Sequence, residues 1–351
     1  MRLGIIGGGQ LARMLALAAR PMGIDCLVVE PAPDPPATSV AEVIGAAYDD
    51  PSALAALVDR CDAVTVELEA VPIAALEWLA TRLPVHPSPA AIATAADRLA
   101  EKRLFRSLGI ATAPFDDEVS GPPAIVKTRR GGFDGRGNRL VRTRDELDAA
   151  IAQMPDPIVE DLVAFQRELS IICARSIEGE VRCWPVVENL HERGILKRST
   201  APARSLATGE QAKAIATQVA GALKYVGVLA IELFELADGS LVANEMAPRV
   251  HNSGHWTIEG AHTSQFEQHV RAVCGLPLGD ATLREPTVML NAIGREPDRA
   301  AVLAVPGAHL HTYGKSARSA RKVGHVTVTA PDLVTLASRV DQLVPIVPFE
   351  P

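Results

Sequence analysis

The chain has 351 residues, 48 % of them hydrophobic and 22 % charged, with a net charge of −7, an ordinary composition for a soluble protein with room for two or three domains and a large core. The acidic balance excludes a partner held chiefly through a nucleic-acid backbone, which would need a broad basic face. No stretch reaches the roughly 18 apolar residues that span a bilayer, and the opening MRLGIIGGGQ has glycines where a secretory leader would have its apolar centre.

Five scattered cysteines (Cys26, Cys61, Cys173, Cys183, Cys274), none in a C-x-x-C pair, read as reduced thiols of a cytoplasmic protein.

In chain order, residues 2–6 predict a strand, 10–19 a helix and 25–30 a second strand. A short strand at 42–45, a helix at 51–59, a buried strand at 63–67 and a helix at 73–82 follow. This β-α-β alternation predicts a doubly wound parallel sheet. Gly7-Gly8-Gly9-Gln10-Leu11-Ala12 leaves the first strand and opens the helix, with Glu30 ending the second strand. It fits the dinucleotide fingerprint G-x-G-x-x-G/A with a later acid. The physics is a set of free backbone N–H groups at a helix start, which holds any phosphate. Glu67-Leu68-Glu69 sits at the C-terminal end of a parallel strand, the edge where ligands of open α/β sheets collect. One of these acids is expected to meet substrate and the other to be structural.

Pro87-Ser88-Pro89 punctuates the chain, and residues 90–108 predict one amphipathic helix carrying Ile92, Leu99 and Leu104, stopped by Gly109. A domain boundary is placed here. From about 110 the pattern becomes α+β with antiparallel strands: 124–128 with 139–142, then 158–160, 168–174 and 181–187, with helices at 144–153 and 209–223. The first strand pair encloses KTRRGGFDGRGN, residues 127–138. Its clustered glycines can bring backbone N–H groups close to phosphate oxygens, and Lys127 reaches the same oxygens as a point charge. No Gly-Lys-Ser/Thr follows, so this is not a Walker loop. The strand at 158–160 runs into a linker, Glu160 to Val163, that offers backbone groups to a purine edge. Glu168 is placed to accept from ribose hydroxyls, and His191 to meet phosphate.

In VLAIELFELADGSLVANEMAPRVHNSGH, residues 228–255, Asp238-Gly239 between apolar runs predicts a two-residue type I′ hairpin with Ala237 paired to Ser240. That register sets Glu232 opposite Glu245 on one face. Opposed carboxylates repel, so a cation is expected between them. Magnesium usually binds through one or two carboxylates plus substrate phosphates. Arg249, His251, Asn252 and Ser253 follow as donors suited to an anion. Residues 257–275 predict a helix, and the tail from about 285 short strands with a helix at 332–343. Within that tail Lys315, Arg318, Arg321 and Lys322 occur without an acid, a set suited to phosphate.

Together these segments resemble the ATP-grasp superfamily and, within it, the N5-carboxyaminoimidazole ribonucleotide synthetase family. The likeness runs nearly the whole length. It includes GGGQLxRM, DRLxEKRLF at 97–105, KTRRGGFDGRGN at 127–138, RELSIICAR at 167–175 and PVVENLHERGIL at 185–196. It continues through NEMAPRVHNSGHWTIEGAHTSQFEQH at 244–269 and YGKSARSARKVGH at 313–325.

The resemblance implies an N-terminal doubly wound parallel-sheet domain at 1–96 and a two-part ATP-grasp domain at 97–284, with a small part at about 110–165 and a large part at about 166–284. A small β-rich segment at 285–351 would complete the substrate site. It implies ATP-dependent carboxylation of 5-aminoimidazole ribonucleotide by bicarbonate through carboxyphosphate, with ATP and Mg2+, in a cytoplasmic homodimer. Arg98, Lys127, Gly132, Phe133, Asp134, Gly135, Arg136, Gly137, Asn138, Glu160, Asp161, Leu162, Val163, Glu168, His191, Asn244 and Glu245 would hold ATP. Glu232 and Glu245 would hold magnesium; Arg249, His251, Asn252 and Ser253 would hold bicarbonate and carboxyphosphate. Gln10, Leu11 and Glu69 would contact the aminoimidazole ribonucleotide, and Lys315 with Arg321 its 5′-phosphate. Ala12, Ala70 and Val250 stand where the family commonly has glycine, a polar residue and proline. Three alternatives stay open: a sister ligase such as formate-dependent glycinamide ribonucleotide transformylase or a biotin-carboxylase-like protein, a non-catalytic nucleotide-binding regulator, and a dinucleotide-dependent oxidoreductase resting on residues 7–12 and Glu30.

Overall fold

The computed structural model describes residues 1–132, 137–204 and 206–351, with Leu206 and Ala207 as backbone only. Strands β1 (Arg2–Ile6), β2 (Asp25–Val29), β3 (Glu42–Ile44) and β4 (Ala63–Val66) form a parallel sheet in the order β3-β2-β1-β4. After their first residues its inner strands β1 and β2 read LGII and CLVV, buried throughout, the apolar runs expected of strands covered on both faces. Leu3 and Ile5 pack with α1 (Gln10–Ala19), while Ile6, Leu27 and Val64 pack with α2 (Pro51–Arg60) and α3 (Ile73–Ala80).

The helix predicted over 90–108 is two helices, α4 (Pro89–Ala95) and α5 (Arg98–Ser107). Asp97 parts them, because its carboxylate accepts the N–H groups of Leu99 and Ala100 and caps α5. A small antiparallel sheet, β6-β5-β7, comprises β5 (Ala124–Thr128), β6 (Asn138–Val141) and β7 (Pro157–Asp161), covered by α6 (Arg144–Gln153).

The large antiparallel sheet is built from β8 (Arg167–Arg175), β9 (Val181–Cys183), β10 (Val187–Glu192), β11 (Ile195–Ala201), β12 (Gly227–Glu235) and β13 (Leu241–Ala247), with α7 (Leu206–Ala222) against it. After α8 (Thr257–Gly260) and α9 (Gln265–Val273) the tail adds β14 (Thr287–Ile293), α10 (Arg299–Leu303), β15 (Ala308–Thr312), β16 (Lys322–Thr329) and α11 (Leu333–Leu343). Its order is β13-β12-β8-β10-β11-β14-β16-β15, with β9 also on β8. The sheet therefore passes without interruption into the tail through the β11–β14 ladder. Two predicted elements are divided here. The strand expected at 181–187 breaks at Pro185, which has no N–H for the ladder, into β9 and β10. The helix expected at 257–275 breaks where Ala261 turns extended and Ser264 caps α9 through the Glu267 N–H.

Candidate active site

Glu232 does pair with Glu245, by a route the sequence did not predict. The turn is one residue longer than expected: the Leu236 N–H donates to the Ser240 carbonyl at 2.9 Å, so Ala237 lies in the loop and does not pair with Ser240. Within the loop Gly239 alone has a positive φ, 82°, which rules out type I′ and fits a three-residue turn ending in a left-handed residue. A bulge past Glu232 then restores the register, since Leu233 pairs with Ala243 and Asn244 is the extra residue. The alternation shifts by one at this point. Leu241, Ala243 and Met246 all join one apolar cluster, and Glu245 turns to the face of Glu232.

That face is electrostatically tense. Burial, and then the charge of Glu245, push the Glu232 carboxyl up to about 7. His251 Nε2 lies 3.4 Å from Glu232 Oε1, and Arg98 Nη2 lies 3.8 Å from Glu245 Oε2. Burial first, then Arg249 and Lys322, hold His251 well below its ordinary range, so the ring is neutral. Its Nδ1 lies 2.8 Å from the Ser253 hydroxyl and accepts the Ser253 N–H at 3.3 Å, which assigns the ring proton to Nε2, facing Glu232. Among the described residues no three His, Cys, Asp or Glu side chains converge into a self-sufficient metal cage. Two opposed carboxylates, one raised by the other, are a donor set that fits a hard divalent cation completed by phosphate oxygens.

Helix α5 supplies a buried charged layer beside this pair. Lys102 Nζ and Lys127 Nζ each lie 3.0 Å from the same Glu160 oxygen. Burial works to raise Glu160, and the two lysines hold it below the usual carboxylate range. Lys127 also donates to Asn244 Oδ1 at 3.3 Å. Glu101 accepts the Met246 N–H next to the bulge, and burial and Glu245 push its carboxyl well up. Sequence reasoning named neither Glu101 nor Lys102. The available signal was that both share the inward side of α5 with Phe105, an unusual place for charge.

Arg98 donates to the carbonyls of Thr128 (2.9 Å) and Gly132 (3.2 Å), so it anchors the near side of the glycine-rich loop. Phe133, Asp134, Gly135 and Arg136 of that loop lie outside the described residues; Gly137 takes a positive φ, 75°, before Asn138 opens β6. In the linker, the Asp161 carboxylate accepts from Ser120 at 2.9 Å and its N–H donates to the Pro114 carbonyl at 2.9 Å. The backbone groups of Leu162 and Val163 make no hydrogen bond among the described residues. Glu168 meets His191, Oε2 to Nδ1 at 2.7 Å. Burial would lower the imidazole, but Glu168 and Glu232 raise it.

On the side facing the N-terminal domain, Arg249 Nη2 lies 2.9 Å from Glu69 Oε1. Both amide atoms of Asn252 are buried without a partner among the described residues, a costly state unless a ligand completes them. Lys315 Nζ donates to Gln10 Oε1 at 2.5 Å, and Arg321 donates to the Ser316 hydroxyl at 2.7 Å. Leu11 is buried in the core, which leaves only its backbone to a ligand.

The first glycine loop differs from expectation. Its N–H groups are not free: Gly8 donates to Glu30 Oε2 at 2.8 Å, Gly9 to Glu67, and Ala12 to Glu67 Oε2 at 2.8 Å. A Cβ on Gly9 would strike the Glu67 carboxylate, and one on Gly8 would strike Glu30. These glycines admit the protein's own acids. Glu30 also accepts from Tyr48 at 2.9 Å, so it is not open to a ribose. The roles of the acid pair are thereby divided: Glu67 is bound inside the fold, and Glu69 faces Arg249.

Three domain families match this chain: the ribonucleotide synthetase preATP-grasp domain over residues 1–96, the ATP-grasp domain over 110–266, and the phosphoribosylaminoimidazole carboxylase C-terminal domain over 287–339. The N5-carboxyaminoimidazole ribonucleotide synthase of Pseudomonas aeruginosa is 45 % identical over 360 residues, covering 98 % of each chain. The crystal structure of N5-carboxyaminoimidazole ribonucleotide synthetase from Thermus thermophilus superimposes with a TM-score of 0.93 at 45 % identity, over 99 % of each chain. That of the Aspergillus clavatus N5-carboxyaminoimidazole synthase, in complex with ADP and 5-aminoimidazole ribonucleotide, does so with a TM-score of 0.89 at 34 % identity, over 99 % of this chain and 97 % of that one.

Proposed function

The chain belongs to the N5-carboxyaminoimidazole ribonucleotide synthase family, and from that premise we propose how its own residues divide the chemistry. The enzyme carboxylates 5-aminoimidazole ribonucleotide with bicarbonate and ATP, giving N5-carboxyaminoimidazole ribonucleotide, ADP and phosphate, a step of purine biosynthesis. The observation that carries the residue assignment is the opposed Glu232–Glu245 pair with His251 3.4 Å from Glu232, on the segment that also carries Arg249 and Asn252.

The linker's Leu162 and Val163 offer their backbone to the purine. Glu168 receives the ribose hydroxyls, and Lys127, His191 and the loop from Gly132 to Asn138 hold the phosphates. Asn244 contacts the nucleotide beside Lys127, and Arg98 ties the loop to Glu245. Glu232 and Glu245 would hold magnesium, which when bound offsets phosphate charge. Bicarbonate oxygen attacks the γ-phosphorus in line, ADP leaves, and carboxyphosphate forms; positioning and electrostatics carry this step. Arg249, the Asn252 amide and Ser253 orient the oxyanion, and His251 keeps its proton on Nε2 toward Glu232. Carboxyphosphate decomposes in water, so the closed site excludes solvent. It releases carbon dioxide beside the substrate amine, whose nitrogen attacks the carbon and gives up a proton. Glu69, Gln10 and the Leu11 backbone hold the aminoimidazole ribonucleotide, with Lys315 and Arg321 on its 5′-phosphate.

We place domain limits at 1–96, 97–284 and 285–351 and the enzyme as a homodimer in the cytoplasm. Five free thiols suit a reducing compartment, and among the described residues no helix is long and apolar enough to cross a membrane. The homodimer rests on the family resemblance, and sedimentation measures it.

The test is ADP release with ATP and magnesium, adding bicarbonate and 5-aminoimidazole ribonucleotide separately and together. Full release needs both. Release driven by formate and glycinamide ribonucleotide instead would move the chain to the sister ligase.

A further inference from the structure

Cys173 on β8 and Cys183 on β9 stand directly opposite one another in an antiparallel ladder. The Trp184 N–H donates to the Ile172 carbonyl at 3.0 Å, which makes the two cysteines a non-hydrogen-bonded pair. Pairs of that kind bring Cα atoms to about 4.5 Å, inside the roughly 4.4–6.8 Å that a disulfide bridges. Both are free thiols; Cys173 is fully buried and Cys183 is partly exposed. Neither belongs to the site described above.

We propose that Cys173 and Cys183 form a reversible dithiol–disulfide couple whose oxidant is hydrogen peroxide. The Cys183 thiolate attacks a peroxide oxygen; the O–O bond breaks, Cys183 becomes a sulfenic acid, and the departing hydroxide takes up a proton as water. The Cys173 sulfur then attacks Cys183. The S–S bond forms, the S–O bond breaks, and the hydroxide leaves with the Cys173 proton as a second water. One peroxide and two thiols thus give one disulfide and two waters, and any low-molecular-weight thiol reverses the change.

The surroundings set the order of the two sulfurs. A hydrogen bond from Cys173, joined by Thr217 and Lys213 of α7, holds the Cys183 thiol below its ordinary range despite burial. The same contact, with burial, pushes Cys173 well up, so Cys183 attacks and Cys173 resolves. The other cysteines are pushed up chiefly by burial, Cys26 to about 12 and Cys61 and Cys274 to about 11. They stay thiols and serve as an internal reference.

The test uses the full-length enzyme and hydrogen peroxide, followed by denaturing alkylation and tryptic mapping. Cleavage after Arg175 and Arg182 puts the two cysteines on separate peptides. The expected product is one linked peptide pair, about 2 Da lighter than the sum of its halves and released by dithiothreitol, with Cys26, Cys61 and Cys274 still alkylated. Cys173→Ala should leave Cys183 trappable as a sulfenic acid. Cys183→Ala should oxidise at Cys173 at least about tenfold more slowly. Overturning results are equal alkylation of all five cysteines after peroxide, or wild-type Cys183 driven to the sulfinic acid while Cys173 remains a thiol.

Discussion

Glu232 carries a cost in the ligand-free enzyme that the proposed magnesium site explains. Its folded pKa, about 7, lies above the ordinary 4.5. The folded state therefore keeps a proton that the unfolded chain has lost, and stability falls as pH rises from 4.5 through about 7. Glu232→Gln removes this penalty. It should stabilise the apo-enzyme above pH 7 by up to about 3 kcal/mol and converge with wild type at acid pH, while abolishing ADP release. Thermal melts across the pH range measure it, and parallel curves for the two proteins would sink it. Asn252 follows the same logic. Asn252→Ala removes two unpartnered buried atoms, so the melting temperature should not drop. Its kcat/KM for bicarbonate should fall by about 10²-fold, with KM for ATP unchanged, as steady-state assays would show.

At the scale of elements, the proposed metal face depends on how the strand absorbs one extra residue. With Asn244 present and no bulge, strand alternation would point Glu245 at the cluster of Leu241, Ala243 and Met246. Deleting Asn244 removes the need for the bulge: Glu245 then follows Ala243 directly and stays opposite Glu232 in a regular ladder. The thermal shift given by ATP and magnesium should therefore survive the deletion, reduced only by the lost Asn244 contact; a deletion variant with no nucleotide protection would contradict this reading. The sequence led to the facing glutamates through two compensating errors, a turn too short by one and an unseen bulge. Apolar periodicity marks where strands run, but a bulge leaves no mark in it. The same blindness joined α4 to α5 across Asp97, because a capping carboxylate inside an apolar rhythm looks like one more polar position. Where local chemistry alone decides, as in β1, α1 and α6, the sequence was legible to the residue.

At the scale of the molecule, the site is assembled from distant segments. Gln10 and Lys315 meet across 305 residues, and Arg249 reaches Glu69 on the first domain. Family likeness named these residues but not their pairings, since a contact between remote segments exists only once both are folded. The β11–β14 ladder makes the tail part of the same sheet that carries Glu232, which is why a residue so late in the chain can face the first helix. Lys315→Met should raise KM for 5-aminoimidazole ribonucleotide roughly tenfold to a hundredfold, as expected for a charged hydrogen bond, and leave KM for ATP unchanged. Equal rises in both constants would place Lys315 in a general structural role.

The glycine turn after β1 has one more consequence. Since Glu67 already fills the cradle at the start of α1, the domain is in effect born with its anion attached. Cellular phosphate or nicotinamide dinucleotides meet an occupied berth whatever their concentration. Glu67→Ala should empty that berth and destabilise the protein, and added formate should then restore the melting temperature in a saturable way. Chloride at equal ionic strength should do far less, because only a planar oxyanion can span the Gly9 and Ala12 N–H groups at once.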